Sequence, residues 1–129
     1  MDRLKTRADF LRAQRGLRRR SASLILETCP TPAAKSATGR LRVGYTASRK
    51  VGGAVERNRA KRRLRAAAAA LLPLYGQEGN DYVLVARRET LSRPFDGLLA
   101  DLASTLKAAQ ARMAGARAPF GKPDAGEPQ

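Results

Sequence analysis

The chain has 129 residues, room for one domain, and sets 26 Lys/Arg against 11 Asp/Glu for a formal net charge of +15. It holds one cysteine, Cys29, so no intrachain disulfide can form, and it has no histidine, which removes the usual general base, zinc ligand and serine-type triad. No apolar run approaches the roughly 20 residues that span a bilayer, and no secretion signal opens the chain, so a cytoplasmic protein without a membrane span is expected.

Thr6-Arg7-Ala8-Asp9 has the form of a capping box with Asp in place of Glu. It predicts a helix over about 7–15, closed by Gly16 in the left-handed conformation. Ser21 to Thr28, centred on Leu24-Ile25-Leu26, reads as a strand that Pro30 and Pro32 end. Leu41, Val43, Tyr45 and Ala47 alternate with Arg40, Arg42, Gly44 and Thr46, a second strand with one buried face. These two strands are expected to pair as antiparallel neighbours, with a short further strand near Ser48 to Val51.

From Ala54 to about Leu72 the pattern is helical, with Pro73 and Gly76 as stop signals. On a helical wheel Ala60, Leu64, Ala67 and Leu71 form one seam, and cations cover the rest. Asp81 to Arg87 is a nearly continuous apolar run, expected as an inner strand buried on both faces. Phe95, Leu98, Leu99, Leu102, Leu106, Ala109 and Met113 recur at three and four, so a third helix follows Ser92 and Pro94. The domain is therefore set at 1–113, with 114–129, rich in Gly, Pro and charge, as a disordered tail.

The charge has an address. Residues 1–20 carry eight Lys/Arg against two acids and residues 49–65 eight against one, while 66–129 balance at seven each. Two dense basic segments in one small domain call for a polyanion. Six of the nine residues from Arg57 to Arg65 are cationic, and Arg57/Lys61, Lys61/Arg65 and Arg59/Arg63 are like-charge pairs at i,i+4. A solubilising face would interleave Glu. Guanidinium forks suit phosphates, and Asn58 among them fits either a contact to a base edge or 2′-hydroxyl or a plain exposed position.

Arg42-Val43-Gly44, Ser48-Arg49-Lys50-Val51-Gly52, Ala54-Val55, Arg57-Asn58-Arg59, Lys61-Arg62 and Arg65 together resemble the signature of the ribonuclease P protein component, with its Arg-Asn-Arg motif. The resemblance extends more loosely over about residues 3–108, and departs at Gly53, where the family usually has Asn, and at Ala66, where an acid is common. It implies an α+β fold, a two-layer α/β sandwich of about four strands and three helices. That fold is shared with a domain of ribosomal protein S5 and has a left-handed βαβ crossover. It implies that the protein, a monomer, pairs one to one with a catalytic RNA and helps it remove the 5′ leader of precursor tRNA. The RNA then does the chemistry, with Mg2+ held mainly by RNA and no catalytic or metal-binding residue on the protein.

Carried onto this chain, Arg57, Asn58, Arg59, Lys61, Arg62 and Arg65 become contacts to the catalytic RNA, with Lys50 beside them. Phe10 and Tyr45 become candidates for stacking on the single-stranded leader in a cleft between the first helix and the sheet, though each fits the core as well. Lys5, Arg7, Arg12 and Arg15 add candidate leader-phosphate contacts, with a solvated surface as the equal alternative. The competing reading from another class is a ribosomal-type structural RNA-binding protein with no part in cleavage.

Overall fold

The computed structural model describes residues 1–35 and 39–117. One mixed sheet has the strand order β1-β4-β5-β3-β2, from β1 (Asp2–Arg3), β2 (Leu17–Arg20), β3 (Leu24–Pro30), β4 (Arg42–Thr46) and β5 (Asn80–Ala86). Helix α1 (Arg7–Gln14) covers one face, while α2 (Ala54–Tyr75) and α4 (Phe95–Arg117) pack on the other, with the short α3 (Arg88–Ser92) leading from β5 into α4. A single 3-10 turn, Ala33–Lys35, follows β3. Among the described residues no helix is long and apolar enough to cross a membrane.

The α+β sandwich is as expected, and its details correct several expectations. The apolar β5 lies at the centre, parallel to β4 and antiparallel to β3. β3 and β4 are thus separated by β5 and are not the antiparallel neighbours expected. Alternation identifies a buried face, not a partner, and β3 and β5 are both buried on two faces, so burial alone does not order them. The sheet has five strands because two edges were missed: β1 is two residues long, and β2 reads Leu-Arg-Arg-Arg, with no apolar alternation.

Strand β3 begins three residues later than expected. Ser21 closes a tight turn after β2, its N–H donating to the Leu24 carbonyl at 2.9 Å and its Oγ accepting from Leu24 N–H at 3.2 Å. Residues 49–51 form a turn and not a strand, with Val51 N–H donating to Ser48 O at 3.0 Å. Pro73 does not stop α2. It sits in the last turn, where it removes one N–H, and the helix closes at Gly76, whose N–H reaches Leu72 O at 2.8 Å.

Only half of the expected capping box forms. Thr6 Oγ1 accepts from Asp9 N–H at 3.2 Å, but Asp9 turns inward. Gly16 is not left-handed either. It is needed for close approach, since a Cβ there would lie 2.3 Å from Thr28 O on β3. Helix α4 continues to Arg117, four residues past the expected domain end, and residues 118–129 of the expected tail lie outside the described residues.

The main core lies between the sheet and α2/α4. Leu24, Leu26, Val43, Tyr82 and Leu84 from the strands meet Ala60, Leu64, Ala67, Ala68 and Leu72 from α2 and Leu98, Leu102 and Leu106 from α4. Leu71, expected in the α2 seam, is only partly buried and yields its place to Ala68 and Leu72. A smaller cluster of Leu4, Ala13, Cys29 and Val83, with Phe10 and Val85 against it, fills the space under α1.

Candidate nucleic-acid interface

Helix α2 is launched by the turn after β4. Gly52 has φ +148, and the Gly53 N–H donates to Glu56 Oε1 at 2.9 Å, the reach-back half of a capping box, while the other half is missing because Gly53 has no side chain to accept the N–H of Glu56. Once Ala60, Leu64 and Ala67 face the sheet, the cations between them must point away. Asn58, Arg59, Arg62 and Arg65 are exposed, and Arg57 and Lys61 half-buried. Lys50 is exposed in the turn before α2, and its carbonyl accepts from Arg88 Nε at 2.9 Å. The seven residues expected to meet the catalytic RNA thus share one basic surface along α2 and its entry turn.

Two cations of this region act within the protein. Arg63 Nη2 donates to the Arg93 carbonyl, and its guanidinium lies 6.0 Å from the Phe95 ring, tying α2 to the start of α4. Arg65 lies 5.2 Å from the centroid of the Tyr45 ring. Among the described residues, none of Arg57, Arg59, Lys61, Arg62, Arg63 and Arg65 pairs with a carboxylate. Sequence reasoning missed Arg88 as the brace of the Lys50 turn, and no local signal marks it, since its partner is 38 residues away.

The face under α1 is organised differently. Asp9 and Asp81 are almost fully buried, and Arg42 is 9% exposed between them. Arg42 donates through Nε and Nη2 to the two Asp81 oxygens at 2.8 and 2.6 Å and through Nη2 to Asp9 Oδ1 at 3.2 Å. Arg12 and Lys35 reach the same Asp9 oxygen, each at 3.0 Å. Burial alone would push the Asp9 carboxyl up, but hydrogen bonds from Arg12, Lys35, Thr6 and Arg42 outweigh it and hold the group well below the usual carboxylate range. Burial, reinforced by the Asp81 charge, pushes the Cys29 thiol up to about 11, so it is an unreactive core group.

A cleft of about 520 Å³ opens beside this network, lined by Arg3, Lys5, Thr6, Asp9, Lys35 and Arg42 among others. Phe10 is half-buried under α1, with two ring atoms 2.6 Å from where a Gly44 Cβ would stand, so Gly44 is what lets the ring lie against β4. Of the residues expected to meet the leader, Lys5 lines this cleft, and Phe10 packs under α1 against the cluster of Leu4 and Val83. Arg12 is committed to Asp9, while Arg7 and Arg15 are exposed along α1. Tyr45 does not join them: it packs with Val43 on the α2 side of the sheet, so the expectation that it shares the α1 cleft with Phe10 is corrected. Burial pushes its hydroxyl pKa up, against Arg65 and Arg3.

Residues 1–110 match the family described as Ribonuclease P. The chain is 50% identical over 109 residues to the ribonuclease P protein component of Paramagnetospirillum magneticum, covering 83% of this chain and 81% of that one. To the ribonuclease P protein component of Ruegeria pomeroyi it is 51% identical over 105 residues, covering 81% and 82%. Among solved structures it resembles the RNase P protein of Staphylococcus aureus, with TM-score 0.69 at 25% identity over 85% of this chain and 96% of that one. The RNase P protein of Thermotoga maritima gives TM-score 0.68 at 25% identity over 84% and 97%. The sandwich, the basic α2 surface and these similarities agree, and the chain belongs to the ribonuclease P protein family.

Proposed function

We propose that this protein is the RNA-binding subunit of a ribonuclease P in the cytoplasm, one protein on one catalytic RNA, acting in removal of the 5′ leader from precursor tRNA. The observation that carries the reading is the α2 surface, a set of cations that pair with no carboxylate among the described residues. Such a surface gains most from phosphates, whose counterions it releases. Lys50, Arg57, Asn58, Arg59, Lys61, Arg62 and Arg65 hold the catalytic RNA.

The α1 face takes the single-stranded leader, with Phe10 as the stacking platform and Lys5, Arg7 and Arg15 drawing its phosphates. The protein lends position and charge, not reacting groups. Mg2+ held mainly by RNA activates the water that cleaves the phosphodiester.

The test is cleavage of a leader-bearing precursor tRNA by the cognate catalytic RNA at low magnesium, with and without the protein. The expected result is a gain in kcat/KM that shrinks when the leader is trimmed. No gain, with the protein still bound to RNA, would favour a ribosomal-type structural RNA binder.

A further inference from the structure

Glu27 is an anomaly on this molecule. It lies in β3, directly opposite Arg18 of β2 on one side and Val83 of β5 on the other, and Val83 is opposite Gly44 of β4, the residue beneath the Phe10 ring. Glu27 alternates with the core residue Leu26 and has the parity of Cys29, so it faces the α1 side with Phe10 and Val83. The row across the sheet is therefore Arg18, Glu27, Val83 and Gly44 with Phe10 above it.

The side chain is 7% exposed, yet among the described residues its carboxylate has a single partner, Arg18 Nε at 3.6 Å, beyond hydrogen-bond reach. Its oxygens are not among the fully enclosed polar atoms left without a partner, so they open to solvent through a narrow gap, and burial of the side chain pushes its pKa up, against the Arg18 charge. The other buried acids of this face, Asp9 and Asp81, each accept several hydrogen bonds. Glu27 keeps its acceptor capacity unspent.

We propose that Glu27 is a specificity-determining residue of the α1 face, accepting hydrogen bonds from the amino-bearing edge of one unpaired leader base. The assignment rests on the leader reading above. A carboxylate repels phosphate, so what it can accept from RNA is a donor on a base. Guanine offers N1–H and N2–H side by side, which match two carboxylate oxygens, and cytosine and adenine each offer one exocyclic amine. Uracil offers only N3–H between two carbonyls that oppose the charge. Arg18, whose side chain is 51% exposed, is the flexible partner that gives way when the base enters. The expected order at that position is guanine first and uracil last.

The experiment uses the protein assembled with its catalytic RNA and precursor tRNAs with uridine leaders into which guanine, cytosine or adenine is moved position by position. Wild type is expected to show one position where guanine exceeds uracil about tenfold in kcat/KM, the effect of one good pair of base contacts. Glu27→Gln, which can donate as well as accept, should flatten that preference from both sides, lowering kcat/KM for the guanine leader and raising it for the uridine leader. Arg18→Ala should keep the preference. An unchanged preference in Glu27→Gln, or equal losses of melting temperature in both variants with no change in preference, would show a cross-strand strut and overturn the assignment. Leader dependence without any base preference in wild type would overturn it alone, whereas indifference to the leader altogether would overturn the leader reading with it.

Discussion

The α2 surface and the α1 face are both rich in arginine, and they use it in opposite ways. Under α1, Arg42 and Arg12 are matched to Asp9 and Asp81 at hydrogen-bond distance, and with Lys35 they form a network that locks the helix to the sheet. Along α2 the cations face one another and solvent, and helix formation itself is weakened by the like-charge pairs. The comparison teaches that a cation's role is set by where its anion is. When the anion is in the chain the pair specifies the fold, and when it is missing the site is built for an anion from outside.

The largest effect that tests this contrast is Arg42→Met. Removing the guanidinium leaves Asp9 and Asp81 buried without their main partner, which costs about 3–5 kcal/mol. Urea unfolding should show the loss in full, and a variant as stable as wild type would break the contrast. The same network has a pH signature. The Asp9 carboxyl is held below its unfolded value, so between the two values the unfolded chain binds more protons. Its contribution is present above the unfolded pKa of about 3.9 and is lost as pH falls below it. Asp9→Asn should therefore lose stability at neutral pH and decline less than wild type below about pH 4.

Next in size is the α2 surface, where the readout moves from stability to binding. If about six phosphates are neutralised, log affinity for the catalytic RNA should fall with log salt at a slope of about −4 to −5. The pair Arg57→Ala and Arg62→Ala should reduce that slope by about 1.5 and leave the melting temperature unchanged. A loss of stability with an unaltered slope would put these arginines with Arg63, whose guanidinium is already spent on the Arg93 carbonyl and the Phe95 ring.

Helix α2 and strand β5 were legible because their periodicities are long and strong, and the basic surface was legible with them, since the seam of Ala60, Leu64 and Ala67 leaves the arginines one direction to point. Strand order was not, because neither the apolar centre of β3 nor the alternation in β4 says anything about the strand between them. β2 was hidden by its three arginines, of which Arg18 stands opposite Glu27 in the ladder. The Asp9, Arg42 and Asp81 network could not be read either. Its members are separated by 33 and 39 residues, and in the sequence Asp9 looks like a capping residue and Arg42 like another solvent-facing cation.

The smallest effect concerns Tyr45, whose alternation with Val43 points it to the core side while its ring suggests a platform for RNA bases. The structure puts the ring against Arg65 on the α2 side, a contact worth about 0.5–1 kcal/mol at an exposed site. Tyr45→Phe keeps the ring and should leave both RNA affinity and leader dependence unchanged. Tyr45→Leu loses the cation–π contact, which orients Arg65, so affinity for the catalytic RNA should fall about two- to fivefold while the ratio of leader-bearing to leaderless cleavage holds. A fall in that ratio instead would mean that the leader reaches the α2 side of the sheet. The two faces would then share one RNA path, and the division between a fold-specifying and an RNA-binding set of arginines would no longer separate their functions.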